Sequence, residues 1–267
     1  MDASDKARSE RREVRHGRRS SVLLSLLTPL SSLLVLLYLS GCRSDVQGVK
    51  VDFTKLRRAA DLYAQAKRAR NDDLTAQQHN DIGVALEMMG NPAAAMVQYR
   101  LALRKDPKLI QAWTNVGNAL RKLEQPEQAL AAYRKALAIN PNYFEAANNF
   151  ADLCAQQRVN LPEAESTLRR ALAEHPADEA FGLDTLAWVL IQQGRYQGAL
   201  DLLDQPPSRN EQAGEELTAS VHYHRALALR GLEKRDEADA ELSRAASVSC
   251  SRELHNAIIT LQAAWGK

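Results

Sequence analysis

The chain has 267 residues, 45% hydrophobic, 25% charged and 5% aromatic, and is rich in Ala and Leu. Small residues of high helix propensity suit closely packed helices better than a sheet or a large ligand pocket. Of the formal charge of +2, the first 41 residues carry +3 (seven basic residues, Lys6 to Arg19, against Asp2, Asp5, Glu10 and Glu13). This leaves −1 for the body, which lacks the basic face that nucleic acid demands, so no nucleic-acid partner is expected.

In chain order, a basic stretch ending in Arg18-Arg19 precedes an apolar run from Val22 to Leu39, and the run closes on Leu39-Ser40-Gly41-Cys42. A positive segment, an apolar segment and then small residues is the order of a secretory signal. The last four residues resemble a bacterial lipobox, which implies a signal peptide over 1–41, lipid on the Cys42 thiol and a lipidated tether over 42–53. The alternative is an uncleaved anchor, since roughly 17–25 apolar residues can span a bilayer, although Pro29 and the serines weaken it. Either way the basic end stays cytoplasmic and the body lies outside the cytoplasm. Arg43 stands where many lipoproteins retained in the inner membrane carry Asp. The resemblance therefore implies the outer membrane, facing the periplasm, with inner-membrane anchoring as the alternative. Fully extended, residues 43–52 would reach at most ~35 Å.

The body repeats itself. Gly83 and Gly117 lie 34 residues apart, as do Ala95 and Ala129, Tyr99 and Tyr133, Ala102 and Ala136, and Pro107 and Pro141. Residues 110–143 show the pattern most fully, with Trp113, Val116, Gly117, Leu120, Ala129, Tyr133, Ala136 and Pro141. This resembles the tetratricopeptide repeat in length and pattern. The resemblance implies an all-α, right-handed superhelical solenoid of about five helical hairpins with N- and C-terminal capping helices.

The expected units are a capping helix in 54–75 (on the spacing of Ala59, Tyr63 and Ala66), then repeats at 76–109, 110–143, 144–178, 179–218 and 219–250, and a closing helix in 251–267. Pro92 and Pro126 suit the first turns of second helices, whereas Pro141 ends one. Pro206-Pro207 cuts the second helix of the fourth repeat short. Gly117 and Ala129 lack bulk and are expected to face each other where the two helices of a hairpin approach. Trp113, Leu120 and Tyr133 are expected to fill that seam.

The three cysteines, Cys42, Cys154 and Cys250, match no zinc, haem or redox spacing, and Cys154 is expected in the core. His222 and His224 are two apart and diverge around a helix. No Gly-rich phosphate loop, HExxH or GxSxG occurs, so neither catalysis nor a cofactor or metal is expected.

Stacked hairpins use an extended concave surface for binding, and in this family the first helix of each repeat lines it. The candidate groove residues are Asn80, Asp81, Val84 and Glu87 in the first repeat and Thr114, Asn115, Asn118 and Arg121 in the second. Asn148, Asn149 and Asp152 follow in the third, then Phe181, Asp184, Trp188 and Ile191 in the fourth. An amide both donates and accepts, so a row of asparagines can pair with an extended peptide backbone of any sequence. Exposed Phe181, Trp188 and Ile191 would be hot-spot candidates. The lysine-centred clamp with which some members of this family take terminal carboxylates is not visible. The expected function is a non-catalytic adaptor or assembly factor holding a protein or extended peptide, with a pilotin-like role as its specific form. The alternatives are a structural subunit of a permanent envelope complex and an enzyme with an unrecognised site.

Overall fold

The computed structural model describes residues 74–174, 179–204, 214–248 and 250–265, all within the unit Val51–Lys267. Cys42, the tether and nearly all of 54–75 lie outside these residues. Eleven α-helices and no strand occur among the described residues. They pair as α1 (Ala76–Met88) with α2 (Pro92–Lys105), α3 (Ile110–Lys122) with α4 (Pro126–Ile139), and α5 (Phe144–Gln157) with α6 (Leu161–Glu174). Then come α7 (Glu179–Gln192) with α8 (Tyr196–Leu203) and α9 (Glu215–Gly231) with α10 (Arg235–Ser247), and finally α11 (Arg252–Trp265). None is long and apolar enough to cross a membrane.

Local chemistry sets the helix ends. Thr75 and Gln78 form a reciprocal capping box at the start of α1. Pro92 and Pro126 occupy the first turns of α2 and α4, where a missing N–H costs nothing. Asn140 turns extended before Pro141, which closes α4. After α1 the chain reverses through Gly90 at φ +74°. The same place after α3 holds Glu124 at φ +57°, a left-handed backbone that disfavours any residue with a Cβ.

Each second helix packs on its own first helix and on the first helix of the next repeat, and successive first helices α1, α3, α5, α7 and α9 touch one another. This stacking makes the solenoid and puts the first helices side by side in one layer. The core runs through the stack as three clusters, the first reaching from Leu74 to Val189. At its seams, Tyr99 and Tyr133 are 0% exposed, and each is worth about 1.5–3 kcal/mol by burial.

The seam is tightest where a glycine meets a tyrosine ring. The group nearest Gly117 is the Tyr133 ring: a Cβ built on Gly117 would lie 2.3 Å from Tyr133 Cε1, and Gly83 stands in the same relation to Tyr99. The ring fills the volume that the glycine leaves, and Ala129 is buried in the same cluster. Trp113 is half-buried, not fully enclosed. It packs on the cluster, donates from Nε1 to the Pro107 carbonyl at 2.9 Å and carries the Lys135 ammonium over its ring. Cys154 is buried, and burial pushes its thiol up to about 12. The last helix, α11, buries Ile258 and leaves Ile259 exposed.

Candidate functional site: an asparagine-lined groove

The layer of first helices carries a pocket of about 390 Å³, towards the small end of the ~300–1,000 Å³ typical of ligand sites. Five asparagines line it: Asn80 from α1, Asn115 and Asn118 from α3, and Asn148 and Asn149 from α5. Gln111 and Thr114 complete the α3 side. Tyr143, Phe144 and Glu145 come from the start of α5, and Phe181 from α7.

The amides form links between repeats. Asn115 donates from Nδ2 to Asn80 Oδ1 at 3.0 Å, and Asn149 donates from Nδ2 to Asn118 Oδ1 at 2.9 Å. Asn118 Oδ1 also accepts from the Tyr133 hydroxyl at 2.8 Å, so both its lone pairs are used and the groove is pinned to the core seam. Asn115 and Asn149 each spend one N–H in this ladder and keep further capacity for an occupant. Asn148 is different. Its Oδ1 is buried and has no hydrogen-bond partner.

Of the sequence-predicted groove residues, the pocket brings together Asn80, Thr114, Asn115, Asn118, Asn148, Asn149 and Phe181. The charged ones serve other contacts. Glu87 accepts from the Tyr99 hydroxyl at 2.8 Å and pairs with Lys122 of the next repeat at 2.7 Å. Burial first, and Glu87 second, hold the Tyr99 phenol well above its ordinary pKa. Arg121 pairs with Asp152 of the next repeat at 2.5 Å. Asp81 accepts from Gln77 at 2.8 Å, and Val84 is exposed without lining the pocket.

The fourth repeat departs furthest from the expectation. Ile191 is 7% exposed and belongs to the second core cluster. Asp184 is also buried, and its partners lie on the first helix of the next repeat. It accepts from Ser220 Oγ at 2.7 Å and meets His224 Nδ1 at 2.7 Å. Trp188 stacks on the His224 ring at 5.0 Å and packs against two core clusters. Phe181 alone of the apolar trio stays exposed, at 52%. Asp184, Ser220 and His224 are the residue types of a hydrolytic triad, but here the serine donates to the carboxylate. A triad needs the serine at the far nitrogen of the imidazole, so the cluster reads as a polar joint between repeats.

Gln111, Tyr143, Phe144 and Glu145 were not expected in the groove. A signal for two of them was present: Gln77, Gln111, Glu145 and Phe181 hold the same place in successive repeats. That place is the first turn of the first helix, one turn before the asparagines. Tyr143 and Phe144 stand beside it, where the incoming loop ends.

The tetratricopeptide repeat family model matches residues 110–143, and a second model of the same description matches residues 155–220. No curated protein matches the chain. Among solved structures the chain is similar to MamA (residue 41 to the end) of Desulfovibrio magneticus RS-1, with 17% identity and a TM-score of 0.53 over 64% of this chain and 93% of that one. It is similar to pilF of Pseudomonas aeruginosa, with 20% identity and a TM-score of 0.54 over 72% and 88%. It is also similar to YrrB, a TPR protein with an unusual peptide-binding site, with 17% identity and a TM-score of 0.53 over 76% and 99%. At these identities the likeness is one of fold. The chain carries tetratricopeptide repeats, and its described helices form an all-α solenoid of the kind those repeats build.

Proposed function

We propose that the protein is a non-catalytic adaptor or assembly factor of the bacterial envelope, holding an extended segment of a partner protein in the asparagine-lined groove. A lipid on Cys42 tethers it to the outer membrane, with the repeats facing the periplasm. The observation that carries the reading is Asn148. Leaving a buried acceptor unpaired costs about 1–3 kcal/mol, and a backbone N–H of an extended occupant would recover that cost once the Asn148 amide turns towards the pocket. The open positions on Asn115 and Asn149 lie in the same pocket and serve the same kind of partner. The peptide-binding site of YrrB supports this use of the fold. The tether rests on Leu39-Ser40-Gly41-Cys42 after an apolar run. A pilotin-like role in type IV pilus assembly is the specific form of the proposal, and the fold shared with pilF is compatible with it.

Asn148→Ala tests the groove, because it removes the unpaired acceptor without breaking an inter-repeat bond. The variant should be as stable as the parent or more so, yet recover less partner from detergent-solubilised envelopes. Equal recovery would count against the groove. Cys42→Ser should abolish labelling by palmitate, and label on the variant would refute the tether.

A further inference from the structure

The groove is chemically uneven along its length, and the unevenness describes its occupant. One repeat position along it reads Gln77, Gln111, Glu145 and Phe181, so neutral amides give way to a carboxylate and then to an aromatic ring. Glu145 is exposed and, among the described residues, is the one charged side chain lining the pocket; no Lys, Arg or His lines it there. The nearby candidate cation, Arg121, is taken up by Asp152 at 2.5 Å. Phe181 is 52% exposed, which leaves a large apolar face to water at the end of an otherwise polar site.

We infer that the occupant is an internal, extended segment that lays an apolar side chain on Phe181 and points a Lys or Arg at Glu145, in preference to an acidic segment or a free carboxyl terminus. This rests on the groove reading above. Among the described lining residues a carboxylate would find no cation, would face Glu145, and could not donate to the unpaired Asn148 Oδ1. Such mismatches reject a ligand as effectively as good contacts select one. The spacing also follows. Glu145 and Phe181 sit at equivalent places on α5 and α7, which pack directly together. Packed helices lie about 8–10 Å apart, and an extended chain advances about 3.3 Å per residue. The basic and apolar residues of the occupant are therefore about three positions apart.

The test is a selection of random dodecapeptides, embedded at both ends in a carrier protein, against the full chain in detergent. Selected sequences are then synthesised with blocked ends and titrated by fluorescence anisotropy. Enrichment of Lys or Arg about three residues from Phe, Tyr, Leu or Ile is expected. Phe181→Ala should weaken such a peptide about tenfold or more, Glu145→Gln should weaken it severalfold, and Glu145→Lys should turn the preference towards Asp and Glu. Both side chains are exposed, and circular dichroism confirms the fold of each variant. Peptides that lose affinity in Asn148→Ala but show no basic preference, or that need an acidic residue, would overturn this inference and leave the groove reading standing. No enrichment, or peptides indifferent to changes at Asn148, Glu145 and Phe181, would overturn both.

Discussion

Gly117→Ala is the sharpest probe of how the repeats are held together. The added Cβ would lie 2.3, 2.6 and 2.7 Å from three carbons of the Tyr133 ring, whereas carbons in contact prefer ~3.5–4.0 Å. The ring cannot swing away easily, because it is 0% exposed and its hydroxyl is anchored on Asn118 Oδ1. Overpacking of this kind costs about 1–3 kcal/mol, and a ring fixed at both ends puts this case at the upper limit. Ala gains ~1 kcal/mol over Gly in helix propensity. The net loss is about 2 kcal/mol, or a melting point lower by about 4–8 °C for a body of this size. Urea unfolding of residues 43–267, followed by circular dichroism, measures it. The third repeat supplies the control, since Ala151 and Leu168 hold the places of Gly117 and Tyr133 and are both fully buried. In a Tyr133→Leu background, Gly117→Ala should therefore be neutral or stabilising. If Gly117→Ala stabilises by itself, or costs the same in both backgrounds, the ring-in-glycine seam is wrong.

Three further outcomes are expected. Glu124→Gly should stabilise by about 0.5–1 kcal/mol, because Glu124 sits at φ +57° where the preceding repeat uses Gly90; a lower melting point would contradict this. Burial raises the phenol pKa values of Tyr99 and Tyr133, so above pH ~10 the unfolded chain releases protons that the folded chain keeps. Stability should then fall as pH rises past ~10, by about 1.4 kcal/mol per unit for each tyrosine, and an unchanged urea midpoint from pH 9 to 11 would refute the burial argument. In a Cys42→Ser chain, half-buried Cys250, whose thiol burial and then Glu216 push up, should react slowly with a thiol reagent at pH 8, whereas Cys154 should react only after unfolding; a Cys154 that reacts as fast as Cys250 would contradict the packing.

Much of this was legible in the sequence because packing repeats with the chain. The pairs Gly83 and Gly117, Tyr99 and Tyr133, each 34 residues apart, and prolines at helix starts and ends follow local rules, and stacking copies them. The asparagines were legible for the same reason. The pairing partners were not, because a residue's position on a helix does not say which neighbour reaches it. Glu87, Arg121 and Asp152 look like groove charges, yet each reaches an adjacent repeat. The fourth repeat misled most, since a run of Phe181, Asp184, Trp188 and Ile191 suggests one exposed face. His224 and Ser220, 40 and 36 residues from Asp184, turn that carboxylate and Trp188 into a buried joint. No motif announces such a contact, because the fifth repeat is out of step with the regular period.

The proposed partner lies along the first helices, in the pocket of Asn115, Asn148 and Phe181. The most direct measurement places a photo-crosslinking amino acid at position 181 in one strain and at exposed Arg100 on α2 in another, then irradiates intact cells. An adduct from position 181, with none from position 100, is the predicted result. Adducts from position 100 alone would mean that the partner docks on the second helices, and the groove would not be the binding site.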